Sequence, residues 1–188
     1  EKRLNEANLA RGLLWERVIF GKITIHLLHG DLSEAYRAAK TLNAYSHSKH
    51  NLYPETYSAC LLGIIALNKL QLDKALKYYL RVTEHQYVAS ERAVIDSFIG
   101  LALTYALKNQ SDRVEETLDM AAKYTAWKGD VAQQDMLMAA KARIALIRGD
   151  HAAAFQWQSS YTTQAHVPGM LFFLANPFIT ECRVLLVE

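Results

Sequence analysis

Proline is scarce in this sequence, with three residues among 188, and there are only eight glycines. So few breaking and turning residues fit long helices better than a sandwich or barrel of many short strands. Basic and acidic side chains nearly balance, at 21 against 19, and no run of five or six like charges occurs. Because a nucleic-acid surface needs a basic patch to displace counterions from phosphate, we expect no direct contact with DNA or RNA.

Cysteines and long apolar runs are also few. Cys60 and Cys182 lie far apart in apolar contexts, and we interpret both as reduced core residues of an intracellular protein. No apolar run approaches the ~18 residues of a membrane span, and the start, Glu1-Lys2-Arg3-Leu4, lacks the apolar core of a signal peptide. The sequence therefore predicts a cytoplasmic protein that does not contact a membrane.

The two ends of the sequence suggest a fragment of a larger protein. There is no initiator methionine, and the last residues, 183–188, continue an apolar helical pattern. In a helical repeat each pair buries its apolar face on the next, so an interrupted pair leaves apolar area exposed. We therefore expect self-association through the truncated C-terminal end.

A pattern that recurs at a steady spacing carries the main structural signal. Four corners place a polar or glycine turn before a small apolar residue that opens a second helix. From Ala35 to Ala75 is 40 residues, from Ala75 to Val114 is 39, and from Val114 to Ala154 is 40. Such a period predicts a solenoid of helical pairs. The corners are Gly30–Ala35, Asn68–Ala75, Asn109–Val114 and Gly149–Ala154.

Residues 1–188 are predicted to form a single all-α domain, a right-handed superhelix of antiparallel helical pairs. Helix-capping residues mark several boundaries: Asp31, Ser90 and Asp130 precede predicted helices, and Gly30 and Gly129 follow others. Residues 46–53 are predicted to be a linker, with 46–51 exposed to solvent. The predicted pairs cover about 4–47, 54–86, 90–128 and 130–163, and a truncated fifth pair begins at 177.

The chemistry-bearing residues do not form a catalytic or metal-binding pattern. His26 with His29, and His47 with His50, have the spacing that puts two imidazoles on one helix face, but a metal needs three or four ligands and none is offered nearby. Neither cysteine lies in a glycine-framed turn, and the glycines form no phosphate-binding loop. We predict no metal, no cofactor and no enzyme activity.

The corners resemble tetratricopeptide-type repeats. A small residue of the first helix, Gly63, Ala102 or Ala142, stands twelve residues before the residue that opens the second helix. The period of about 40 residues exceeds the ~34 of the tetratricopeptide, no proline ends the pairs, and Ile23 stands where the first pair should have a small residue. Longer pairs are typical of the sensor region of large ATP-dependent LuxR/MalT-type bacterial transcription activators.

The most specific part of the resemblance covers the last ~40 residues. The stretch from Gly149 to Trp157, a loop, and then Asn176 to Leu186 are similar to that family's tryptophan-bearing second helix and a following helix with threonine, two residues, arginine, valine and two leucines. The resemblance implies an upstream nucleotide-binding switch domain and a C-terminal helix-turn-helix DNA reader. Neither lies in this sequence.

In tetratricopeptide-like arrays the first helix of each pair lines a concave groove. By that resemblance, the candidate ligand- or partner-binding residues are Arg17, Tyr57, Asn68, Asp96 and Arg143. Asp96 and Arg143 each interrupt an apolar or small-residue stretch, where a buried charge without a partner would be costly. An open alternative for each of the five is an ordinary solvated helix residue. The aromatic residues, Trp127 and Tyr124 among them, are interpreted mainly as hairpin core and otherwise as a surface for a sugar or peptide.

Two functions follow as hypotheses. In the first, the chain is an effector- or partner-sensing domain of a LuxR/MalT-type transcriptional regulator, which binds a small-molecule inducer or a regulatory protein. In the second, it is a constitutive scaffold that binds a peptide or helix in its concave groove. A closed polar and aromatic cavity would favour a metabolite, and an open extended groove would favour a peptide.

Overall fold

A computed structural model describes residues 2–161, 174 and 176–187, with side chains from Gly12 onward. These residues form nine α-helices and no strand, which confirms the all-α prediction. The helices are α1 (Lys2–Leu28), α2 (Leu32–Ser48), α3 (Leu52–Asn68), α4 (Leu72–Glu84), α5 (Glu91–Leu107), α6 (Ser111–Lys128), α7 (Val131–Ile147), α8 (His151–Ser160) and α9 (Pro177–Leu185).

Each helix packs against its neighbours in the chain, and the odd-numbered helices also pack against one another. α3 contacts α5, α5 contacts α7, and α7 contacts α9. The connecting helices α4 and α6 each lie against the odd-numbered helix before and after them. The result is a row of first helices, α3, α5, α7 and α9, in which each contacts the next.

Burial follows from this arrangement. Every residue from Ala93 to Ala106 of α5 is buried, and so are nearly all residues of α3 from Pro54 to Leu67. Both helices carry apolar residues on all sides, as suits helices with several neighbours, with a few buried polar residues among them. α4, by contrast, buries only one stripe, Ala75, Tyr79 and Val82, and exposes its charged face.

The four corners share one backbone geometry. In each, the second residue after the first helix adopts the left-handed conformation, and the next N–H donates to the carbonyl five residues back, as in a Schellman motif. The left-handed residues are Gly30 (φ 76°), Leu70 (φ 55°), Asn109 (φ 56°) and Gly149 (φ 75°). The bonds run from Asp31 to His26, from Gln71 to Ala66, from Gln110 to Tyr105 and from Asp150 to Ala145, at 2.8 to 3.0 Å.

The residue that opens each second helix is completely buried. Ala35, Ala75, Val114 and Ala154 each have 0% of their surface exposed. A larger side chain at these positions would push the second helix away from the first. The spacings of 40, 39 and 40 residues therefore separate structurally equivalent positions.

Leu70 is the one corner residue of the four that is neither glycine nor asparagine. Its side chain is 72% exposed, so it gains little from packing, while its positive φ crowds Cβ against the backbone. We expect Leu70→Gly to raise the free energy of unfolding by about 1 kcal/mol in urea denaturation. The reverse change at an equivalent corner, Gly149→Leu, should lower it by a similar amount. A lower stability for Leu70→Gly would contradict this explanation.

Two sequence interpretations are wrong in detail. The linker predicted from Ser46 is shorter, because α2 continues to Ser48 and Ser46 is fully buried. His50 then adopts a left-handed φ of 51° and the N–H of Asn51 donates to the carbonyl of Ser46, so the chain turns within three residues. Cys60 is buried as expected, but Cys182 is exposed, because α9 buries its other face.

A buried carboxylate joins the first two pairs. Glu55, near the start of α3, is 3% exposed and pairs with the guanidinium of Arg81 on α4. Its Oε1 also lies 3.1 Å from Nδ1 of His47 on α2. The charge is therefore satisfied by two neighbouring helices, which fixes their positions relative to α3.

Candidate functional site

The five residues predicted to line a groove fall into three separate places. Arg17 and Tyr57 line one cavity, between α1 and α3. Asn68 and Arg143 line a second, at the C-terminal ends of α3, α5 and α7. Asp96 lies in the interior of the protein, 3% exposed. The structure therefore brings four of the five together as two pairs and buries Asp96 apart from them.

The first cavity, called here the α1–α3 cavity, has a volume of about 380 Å³. Phe20 and Tyr57 meet edge to face in its wall, with ring centroids 4.9 Å apart. Burial raises the pKa of Tyr57 above its ordinary value, and desolvation also raises the pKa of Glu16. The cavity thus combines aromatic walls with one carboxyl and one guanidinium group. Its lining is Leu13, Glu16, Arg17, Phe20, Leu42, Asn51, Tyr53, Pro54 and Tyr57.

The second cavity, called here the arginine cavity, has a volume of about 490 Å³. Arg143 of α7 is half-buried in its wall and donates from Nη1 to the carbonyl of Leu174 at 2.5 Å. Desolvation, and then repulsion by Arg183, lowers the pKa of Arg143 to about 10. The lining is Leu67, Asn68, Leu70, Leu103, Leu107, Arg143, Leu146, Ile147, Leu174 and Arg183.

Asp96 is the centre of a buried polar cluster between α3, α4 and α5. Its Oδ2 lies 3.8 Å from Nε of Arg92, one turn earlier on α5. Burial raises the pKa of Asp96 to about 7, and the Arg92 guanidinium only partly opposes this. Burial, with the nearby Asp96, also raises the pKa of the Cys60 thiol. A group so enclosed cannot touch a ligand on the surface, so its effect is on stability.

An aromatic cluster lies between α4, α5 and α6, and sequence reasoning did not single out its most exposed member, Tyr87. Tyr87 and Trp127 are 82% and 64% exposed, and their ring centroids are 6.4 Å apart. Tyr124 lies 6.0 Å from Trp127 and 6.1 Å from Phe98, which continues the cluster into the core. A cavity of about 500 Å³ adjoins these rings. A signal was available in Tyr87, an aromatic residue in the polar stretch between two helices.

Within the described residues, no group of three or more histidines, cysteines and carboxylates is placed to hold a metal ion. No helix in that part of the chain has the length and apolar character needed to cross a bilayer. Comparison of the chain with protein-family models, with curated proteins and with solved structures gave no match. The fold and the cavities therefore define an all-helical protein with open cavities between packed helices.

Proposed function

We propose that the chain is a tetratricopeptide-like superhelical sensor domain of a LuxR/MalT-type transcriptional regulator. The observation that carries the proposal is the fourfold recurrence of one corner geometry together with the row of first helices in contact. Such a row stacks helical pairs in one direction, and stacked pairs create extended binding surfaces. The resemblance of residues 149–186 to that family supports the assignment to a regulator.

The proposed mechanism is a shift between two arrangements of neighbouring pairs. The arginine cavity lies where α3, α5, α7 and α9 meet, so an occupant would contact helices from four different pairs. A ligand that fits one arrangement better than another stabilises that arrangement in proportion to the difference in affinity. In the whole regulator this shift would control a nucleotide-binding switch domain and a helix-turn-helix DNA reader. The domain itself is proposed to have no cofactor and no enzymatic activity.

The competing function is a constitutive scaffold that binds a peptide or a helix. The exposed pair Tyr87 and Trp127 favours this alternative, because aromatic side chains dominate the binding energy of protein interfaces. In that case the aromatic cluster, and not the arginine cavity, would form the contact surface.

A thermal-shift screen separates the two functions. We expect a member of a metabolite library rich in sugars, amino acids and organic acids to raise the melting temperature with its concentration. Tyr57→Ala and Arg143→Ala test the two cavities, and Arg37→Ala, an exposed change on α2, is the control. If no compound acts, and a pull-down retains a protein partner that is lost with Trp127→Ala, the scaffold is favoured. The regulator assignment fails if the full-length protein lacks both the nucleotide-binding and the helix-turn-helix segments.

A further inference from the structure

The arginine cavity contains two guanidinium groups and no carboxylate among the described residues that line it. Arg143 comes from α7 and Arg183 from α9, 40 residues later in the chain. Neither forms an ion pair with an acidic residue in the described part of the protein. The cavity therefore holds positive charge that the described chain does not neutralise.

Two other basic residues at the same ends of these helices are neutralised by carboxylates, while Lys69, after α3, lies over the ring of Tyr36. Lys108 is next to the lining residue Leu107, and its Nζ lies 2.7 Å from Oδ1 of Asp73. Arg148 is next to the lining residue Ile147, and its Nη1 lies 2.8 Å from Oε1 of Glu115. Carboxylates are thus present at this end of the molecule, but none among the described residues pairs with Arg143 or Arg183.

Most carbonyl groups in the last turns of the helices around the cavity already accept hydrogen bonds. The last carbonyls of α3, at Ile65, Ala66 and Leu67, accept the backbone N–H groups of the corner that follows. Those of α7, at Ile144, Ala145 and Leu146, are engaged in the same way. Arg143 instead uses the carbonyl of Leu174, and one carbonyl leaves most of a guanidinium's five N–H donors available.

The rest of the lining is mainly aliphatic. Five leucines and isoleucines of α3, α5 and α7 surround the two arginines: Leu67, Leu103, Leu107, Leu146 and Ile147. The volume of about 490 Å³ lies within the range typical of small-molecule sites, roughly 300–1,000 Å³. An occupant that matches both features has an anionic head and an apolar body.

We propose that the arginine cavity binds a small organic carboxylate whose carboxyl group lies between Arg143 and Arg183 and whose aliphatic body contacts the leucine lining. Guanidinium groups pair with carboxylates through two parallel hydrogen bonds, which gives the head group a defined position. An anion there would also relieve the repulsion between the two arginines. The ligand would join α7 to α9, so this assignment rests on the proposed sensor function and names its ligand class.

Isothermal titration calorimetry with octanoate as the probe tests the assignment. Octanamide, which has the same aliphatic chain and an uncharged head group, is the control ligand. We expect octanoate to bind at least about tenfold more tightly than octanamide, because only the carboxylate can pair with the arginines. Arg183→Met and Arg143→Met should each weaken octanoate binding about tenfold or more while keeping an unbranched apolar side chain. Arg37→Met should leave it unchanged.

Arg183 is exposed, so Arg183→Met gives a decisive result even if Arg143→Met fails to fold. Equal binding of octanoate and octanamide, or octanoate binding that survives Arg183→Met, would overturn the proposal. So would inorganic phosphate that binds as tightly as octanoate, because the aliphatic lining would then contribute nothing. No octanoate binding, combined with a thermal shift by another metabolite, refutes this ligand class but leaves the sensor function intact. No response to any metabolite, combined with a protein partner that is lost with Trp127→Ala, refutes the small-molecule sensor in favour of the scaffold.

Discussion

Replacing Gly100 with alanine should destabilise the protein by about 3 kcal/mol, although the same change in an open helix position is favourable. The cause is Tyr79 of α4, whose ring is fully buried between α3 and α5. A Cβ at Gly100 would overlap the ring at Cζ, and a Cβ at Gly63 on the other side would lie 2.5 Å from Cε1. The ring packs against a glycine on each side, so it has no free space into which it can move.

A double-mutant cycle isolates the contact from other effects of the substitutions. Tyr79→Leu alone should destabilise, because it leaves a cavity between the helices. The double variant Tyr79→Leu with Gly100→Ala should lose less stability than the sum of the two single losses, with a coupling energy of about 2 kcal/mol. Additive effects in urea unfolding would mean that the ring and Gly100 do not constrain each other.

Gly21 provides the matched control for Gly100. It lies within α1, and no atom lies within 4 Å of the position that its Cβ would occupy. Gly21→Ala should therefore stabilise the protein by up to about 1 kcal/mol, since alanine loses less backbone entropy in a helix. Both substitutions replace glycine with alanine in a helix. Opposite changes in the free energy of unfolding would therefore show that packing against Tyr79 determines the effect at Gly100.

The features that the sequence predicts well are local ones. The corners at Gly30 and Gly149 depend on glycine in a left-handed conformation, and the caps Asp31, Ser90 and Asp130 each accept the N–H groups expected of them. Such signals are complete within a few residues, so they can be recognised without tertiary information. The corner at Leu70 adopts the same geometry but carries no such signal.

Features that depend on packing between distant residues were less accessible. Arg143 was a candidate from the sequence, but its partner in the cavity, Arg183, was not, because their proximity depends on how α7 packs against α9. The sequence also identified Asp96 as a charge in an apolar stretch and, on the cost of burying it, predicted a groove contact. In the structure it is buried beside Arg92. A buried carboxyl group can also avoid an unpaired charge by remaining protonated, but this can be predicted only from the groups that surround it in the structure.

The buried Asp96 gives the second large prediction: stability should fall as the pH rises from about 4 to 8. Its pKa is about 7 in the folded protein and 3.8 in the reference state, so between these values the folded state holds a proton that the unfolded state has released. Stability from this group is complete below pH ~4 and is lost as the pH passes through 7. At about 1.4 kcal/mol per pKa unit, the total loss is on the order of 4 kcal/mol.

Asp96→Asn should remove most of this pH dependence, because the amide is neutral throughout. The groups that face Asp96 are Arg92 on its own helix, Cys60 and Tyr57 on α3 and Tyr79 on α4. Burial raises the pKa values of Cys60, Tyr57 and Tyr79, so none of these three accounts for a transition near pH 7.

Urea unfolding at several pH values measures the effect directly. The free energy of unfolding of Asp96→Asn should equal or fall below that of the wild type at pH 5 and exceed it at pH 8. The two curves of stability against pH therefore cross near neutrality. The exposed change Asp119→Asn on α6 is the control and should leave the shape of the pH curve unaltered. A slope that persists in Asp96→Asn would mean that another group causes it. A wild-type curve that stays flat between pH 5 and 8 would mean that the carboxylate is ionised inside the fold. In that case the single ion pair with Arg92 would be sufficient to hold a buried charge between α3 and α5.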